Sequence, residues 1–92
     1  MTKTQKEHWD RYREMGKRIA YYRKQRKMTQ EELAEKLDVS RQHIGAIEAP
    51  NVKRKLSLAL LINIADILGV ESKDFLEFEG VSFADDAEND AK

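Results

Sequence analysis

Ninety-two residues suffice for one modest hydrophobic core. The absence of cysteine excludes disulfides and thiolate metal sites, and the two histidines, His8 and His43, are too few and too far apart for a ligand cluster. The 17 Lys/Arg and 17 Asp/Glu cancel overall but not locally: residues 1–70 hold 15 against 9, a balance of +6, and residues 71–92 hold 2 against 8, a balance of −6. A basic body of this kind supplies the phosphate-neutralising term that dominates binding to nucleic acid, and an acidic end near that surface lowers non-specific binding.

Other classes are excluded by what is missing. No apolar run is long enough to span a membrane, and the charged, polar N-terminus does not read as a signal peptide, so a soluble, cytoplasmic protein is expected. Paired carboxylates, a Ser/His/Asp set and a glycine-rich phosphate loop are all lacking, so the sequence offers no machinery for an enzyme and implies no cofactor or metal.

Along the chain, Thr4 and Glu7 have the spacing of a capping box, and Trp9, Tyr12, Met15, Ile19 and Tyr22 then recur at spacings of three and four. The pattern predicts a long first helix. Gly16 is its weak point, costing about 1 kcal/mol relative to Ala, and leaves the helix continuous, kinked or divided there. Ile19, Tyr22 and Arg23 share one face. Trp9 and Tyr12 require an apolar cover, available from Leu60, Ile67, Phe75, Phe78 and Phe83 or from a second subunit.

Met28 to Glu48, MTQEELAEKLDVSRQHIGAIE, reads as two short helices joined by a tight turn. Thr29 and Glu32 form a second capping-box pattern, with Met28 and Leu33 as its hydrophobic staple. Leu33, Ala34 and Leu37 then share an apolar face. Asp38 occupies the turn, where it is tolerated because Asp is among the few non-glycine residues that visit left-handed conformations. The pattern restarts at Val39, with Ser40 as the next N-cap and Ile44 as its staple partner. Two helices in this relation form a helix-turn-helix, whose second helix is suited to a major groove.

In that second helix Ile44, Ile47 and Glu48 face inward, whereas Arg41, Gln42, Gly45, Ala46 and Ala49 lie on other faces. Arg can chelate guanine O6 and N7, and Gln can chelate adenine N6 and N7, so the first turn carries base-reading chemistry. A lone Arg-Gln pair is usually just a solvated surface; the surrounding pattern reverses that judgement. Arg23 and Glu48 both point inward, and a buried charge without a partner is expensive, so the two are expected to pair. Lys53, Arg54 and Lys55 precede the next N-cap, Ser57, after which Leu58, Leu61, Ile64, Ala65 and Leu68 share a core face. Residues 79–92 read as an acidic, disordered tail.

TQEELAEKLDVSRQHIGAIE resembles the helix-turn-helix of the phage-repressor and Cro family, the Xre-like regulators. IAYYRKQRKM (Ile19 to Met28) and SLALLINIADILGV (Ser57 to Val70) are similar to that family's first and fourth helices. The resemblance covers about Met15 to Phe75. It implies an all-α, compact five-helix repressor-like domain over residues 15–78, preceded by a helical extension at 1–14 that lengthens the first helix. It also implies the Arg23–Glu48 ion pair.

By the same resemblance Arg41, Gln42 and Ala46 are expected to read bases. Thr29, Gln30, Ser40, His43, Asn51, Lys53, Arg54 and Lys55 are expected on the phosphate backbone. Two departures stand out: Asp38 where the family usually has Gly, and Ala49-Pro50-Asn51 where it commonly has Asn-Gly. The implied protein is a bacterial or phage-encoded transcriptional regulator, a repressor binding a palindromic operator in double-stranded DNA as a homodimer, with no small-molecule ligand. An antitoxin-type module, binding a protein partner through its C-terminal tail and repressing its own operon, is the alternative. Trp9, Tyr12, Leu60, Ile67, Phe75 and Phe78 are the expected apolar residues of a dimer contact.

Overall fold

The computed structural model describes residues 8–51 and 56–76. Four α-helices follow in order, α1 (Trp9–Gln25), α2 (Gln30–Leu37), α3 (Arg41–Glu48) and α4 (Leu58–Leu68), then a 3-10 turn over Ser72–Phe75. Among the described residues there is no strand. Among the described residues this single turn is all that stands where a fifth helix was expected. Thr4 and Glu7, Phe78 and the acidic tail lie outside the described residues, and α1 begins after His8 without a side-chain cap.

Local chemistry accounts for most helix boundaries. The Thr29 hydroxyl accepts from the Glu32 N–H at 3.0 Å while the Glu32 carboxylate accepts from the Thr29 N–H at 2.9 Å, closing a reciprocal box at the start of α2. The Thr29 N–H, and after it the Thr29 hydroxyl, hold the Glu32 carboxyl below its ordinary range. This cap is therefore fully present above the ordinary carboxylate range and is lost as pH falls through the lowered value. Ser40 and Ser57 cap α3 and α4, accepting from the His43 and Leu60 N–H groups at 3.0 and 3.1 Å.

Three helices end in the same way. Lys27, Asp38 and Gly69 follow α1, α2 and α4 in the left-handed region, with φ of 55°, 57° and 72°. The next residues, Met28, Val39 and Val70, donate backward to the carbonyls of Arg23, Ala34 and Ala65 and pack against the core. Each end thus satisfies helix carbonyls and buries an apolar side chain together.

The core comprises Ile19, Leu33, Ala34, Ile44, Ile47, Leu61, Ile64, Ala65, Leu68 and Phe75. Phe75 is the main correction to the expected apolar surface. It is fully buried, with Tyr22 edge-on at 5.8 Å, and Arg18 donates to the Asp74 carbonyl at 3.1 Å, tying the 3-10 turn to α1. Leu60 and Ile67 are half-buried against the same core. Leu58 was expected inside but is 66% exposed at the first position of α4, one turn before the buried Leu61; among the described residues Tyr21 and Ile62 are the other exposed large apolar residues. Trp9 and Tyr12 meet with their rings tilted at 51° and centroids 5.6 Å apart, and Leu76 joins Tyr12, Met15, His8 and Arg11 around a shallow cleft.

Gly16 does not break α1. The helix runs through it unbroken, and a Cβ there would stand 2.1 Å from the Ile47 carbonyl oxygen, so glycine is what allows α1 and α3 to touch backbone to backbone. Gly16→Ala should therefore lower stability by about 1–3 kcal/mol, the cost of overpacking, despite the higher helix propensity of Ala. Urea denaturation measures this, and a variant as stable as the parent would show that the close approach is dispensable.

Candidate nucleic-acid interface

The surface that would meet DNA is set by how α3 is held. Ala34, 3% exposed, is a small residue where α2 meets α3, and Ile44 and Ile47 turn one face of α3 into the core. Arg41 and Gln42 are exposed in its first turn, directly after the Ser40 cap, while His43, Gly45 and Ala46 are half-buried. Ala46 stands one turn beyond Gln42 on the same side.

The far end of α3 is anchored by charge. Arg23 Nε donates to Glu48 Oε2 at 2.7 Å and Nη2 to Oε1 at 2.9 Å, a bidentate fork, while Nη1 donates to the Met28 carbonyl at 2.7 Å. Both side chains are nearly sealed from solvent, at 8% and 6% exposure. Gln30 Nε2 completes the cluster by donating to Glu48 Oε1 at 3.0 Å. The hydrogen bond to Glu48 outweighs desolvation and raises the Arg23 pKa further, so the guanidinium is charged at any working pH. Among the described residues no buried side-chain polar atom lacks a partner.

This geometry bears on the expected phosphate contacts. Gln30, half-buried, spends one of its two amide N–H groups on Glu48, a link that residue pattern alone did not reveal. Its only sequence signal was position: first residue of the helix after the Thr29 cap, facing the end of α3. The hydroxyl oxygens of Thr29 and Ser40 act as cap acceptors; the Thr29 O–H is turned to the Glu32 carboxylate, whereas the Ser40 cap leaves its O–H proton as a donor. Asn51 is exposed after α3. Lys53, Arg54 and Lys55 lie outside the described residues. Among those described, no group of His, Cys, Asp or Glu is arranged to hold a metal, and no helix is long and apolar enough to cross a membrane.

A capped helix pair with an exposed polar first turn on its second member defines a DNA-binding helix-turn-helix domain. The helix-turn-helix family model matches residues 19–75, and the chain belongs to this Cro- and Xre-like family of transcriptional regulators, which are not enzymes. The chain is 45% identical over 65 residues to an uncharacterised HTH-type transcriptional regulator of Methanocaldococcus jannaschii, covering 71% of this chain and 96% of that protein. Among solved structures it is similar to SinR, the master regulator for biofilm formation, in complex with DNA, at 32% identity and a TM-score of 0.63, over 68% of this chain and 98% of that one. It is also similar to the restriction-modification controller protein C.AhdI of Aeromonas hydrophila, at 25% identity and a TM-score of 0.63, over 70% and 94%.

The anchor has a measurable consequence. Glu48→Ala leaves Arg23 buried without its carboxylate and should cost about 3–5 kcal/mol, whereas replacing both partners with apolar residues, Arg23→Met with Glu48→Leu, should recover much of that stability. Chemical denaturation of the single and double variants compares the two, and equal destabilisation would show that unpaired charge is not the source.

Proposed function

We propose that this chain is a sequence-specific repressor, soluble and cytoplasmic, that binds a palindromic operator as a homodimer. The observation that carries the proposal is the exposed Arg41 and Gln42 pair in the first turn of a helix whose other end is locked into the core by Glu48. Side chains at that end of a docked helix reach base edges in the major groove. Thr29, Gln30, Ser40, His43, Asn51 and the Lys53–Arg54–Lys55 loop set its register on the phosphates, and Ala46 lies against the bases. Similarity to SinR in its complex with DNA supports this docking. One recognition helix covers only a few base pairs, so two copies on half-sites one helical turn apart supply the affinity.

Selecting bound sequences from a random duplex library tests the whole reading. An inverted repeat with half-sites about 10 base pairs apart is expected; failure to enrich any sequence rejects sequence-specific binding, and a single half-site bound as tightly as the repeat rejects the dimer.

Arg41→Ala and Gln42→Ala should each relax preference at one base position per half-site, at a cost of about 1–3 kcal/mol. Binding to every single-base operator change reads this out, and an unchanged preference in both variants removes the assignment.

Replacing Lys53, Arg54 and Lys55 with Ala should weaken cognate and scrambled duplexes almost equally. The slope of log affinity against log salt should become shallower by about 1 for each phosphate that is no longer neutralised. An unaltered slope would mean that the loop faces away from the DNA backbone.

A further inference from the structure

We propose that Gly45 is the point at which a DNA strand comes closest to the protein backbone, and that its missing side chain lets Arg41 and Gln42 reach the bases. The inference rests on the DNA-binding function proposed above. Of the three glycines in the described residues, two are explained by the fold. A Cβ at Gly16 would collide with the Ile47 carbonyl oxygen at 2.1 Å, and Gly69 has a φ of +72° that side chains rarely adopt.

Gly45 has neither reason. It lies within the eight-residue helix α3 with no left-handed φ, and among the described residues outside the backbone of α3 itself a Cβ there would meet only Gln30 Oε1, at 3.6 Å, an ordinary van der Waals distance. Glycine inside a helix is less stable than alanine, since its backbone loses more freedom on folding. The fold thus accepts a penalty at this position for which packing among the described residues gives no reason. A requirement from outside the chain accounts for it.

The neighbours indicate what that requirement is. On a helix of 3.6 residues per turn, Gly45 stands one turn beyond Arg41 and Gln42 and between them in azimuth. Beside it is Gln30, whose amide is oriented by Glu48. A phosphodiester strand running from Gln30 toward the first turn of α3 therefore crosses the helix over this bare Cα. A methyl group at this position would hold the strand away and lift Arg41 and Gln42 from the base edges.

The test is Gly45→Ala in the full chain, assayed for thermal unfolding and for binding to the selected operator and to a scrambled duplex of equal length. The variant should melt a few degrees higher. It should bind the selected operator about tenfold more weakly, the scale of one overpacked methyl group, and the scrambled duplex less so, because that duplex has no base contacts with Arg41 and Gln42 to lose. The same weakening should appear in a Gln30→Ala background, since the methyl group meets the DNA and not the glutamine.

Unchanged affinity, a lowered melting temperature, a weakening confined to one base pair, or disappearance of the effect in the Gln30→Ala background would each overturn the inference. Wild-type protein that binds neither duplex would remove the DNA-binding reading and this inference with it. Wild-type binding with Gly45→Ala equally tight would remove this inference alone.

Discussion

The buried carboxylate of Glu48 is the constraint on which the geometry of this domain depends. At 6% exposure it is stable as an anion only because Arg23 meets both of its oxygens and Gln30 donates to one of them. Arg23 is itself held by the Met28 carbonyl just after the left-handed turn that ends α1. One carboxylate thereby joins the end of α3, the start of α2 and the last turns of α1. An apolar cluster of equal volume could match this in energy, but a bidentate fork also sets distance and angle.

The same α1 face touches α3 a second time. Gly16 and Arg23 are seven residues apart, two helical turns, and both meet the end of α3, one at the Ile47 carbonyl and the other at Glu48. A single ion pair would leave α3 able to pivot about it. Anchoring at both points along one helix removes that freedom, so the direction in which the first turn of α3 points is determined by α1 as much as by its packing partner α2.

Much of this was legible in the residues themselves. Thr29–Glu32, Ser40 and Ser57 announce their caps because the signals are local, and Asp38 is readable as a left-handed residue because its side chain tolerates that conformation. Arg23 and Glu48 were legible because both fell on apolar stripes, where charge needs an explanation. Lys27 adopts the same left-handed conformation with no signal in its side chain. Gly16 left the helix continuous, kinked or divided because helix propensity is a local quantity, whereas the reason for glycine lies in α3, some thirty residues away. Phe75 and Leu58 failed for a related reason: periodicity shows which side of a helix is apolar, but not where the core ends. A 3-10 turn folding back against Tyr22 buries the first, and the second, at the first position of α4, lies outside that limit.

The two ends of α3 consequently do different work. Its C-terminal end is sealed, charged and linked to α1 and α2, so changes there propagate into stability. Its N-terminal end is closed by one hydroxyl of Ser40, and the exposed side chains beyond that cap, Arg41 and Gln42, are outside the core cluster. Under the proposed function, base preference is therefore separable from folding: residues at these two positions can change what is read while the scaffold that aims them stays intact. Gly45 lies between the two regimes: a side chain there would meet Gln30 at the anchored end, and under the proposed function its absence governs how deeply the reading end docks.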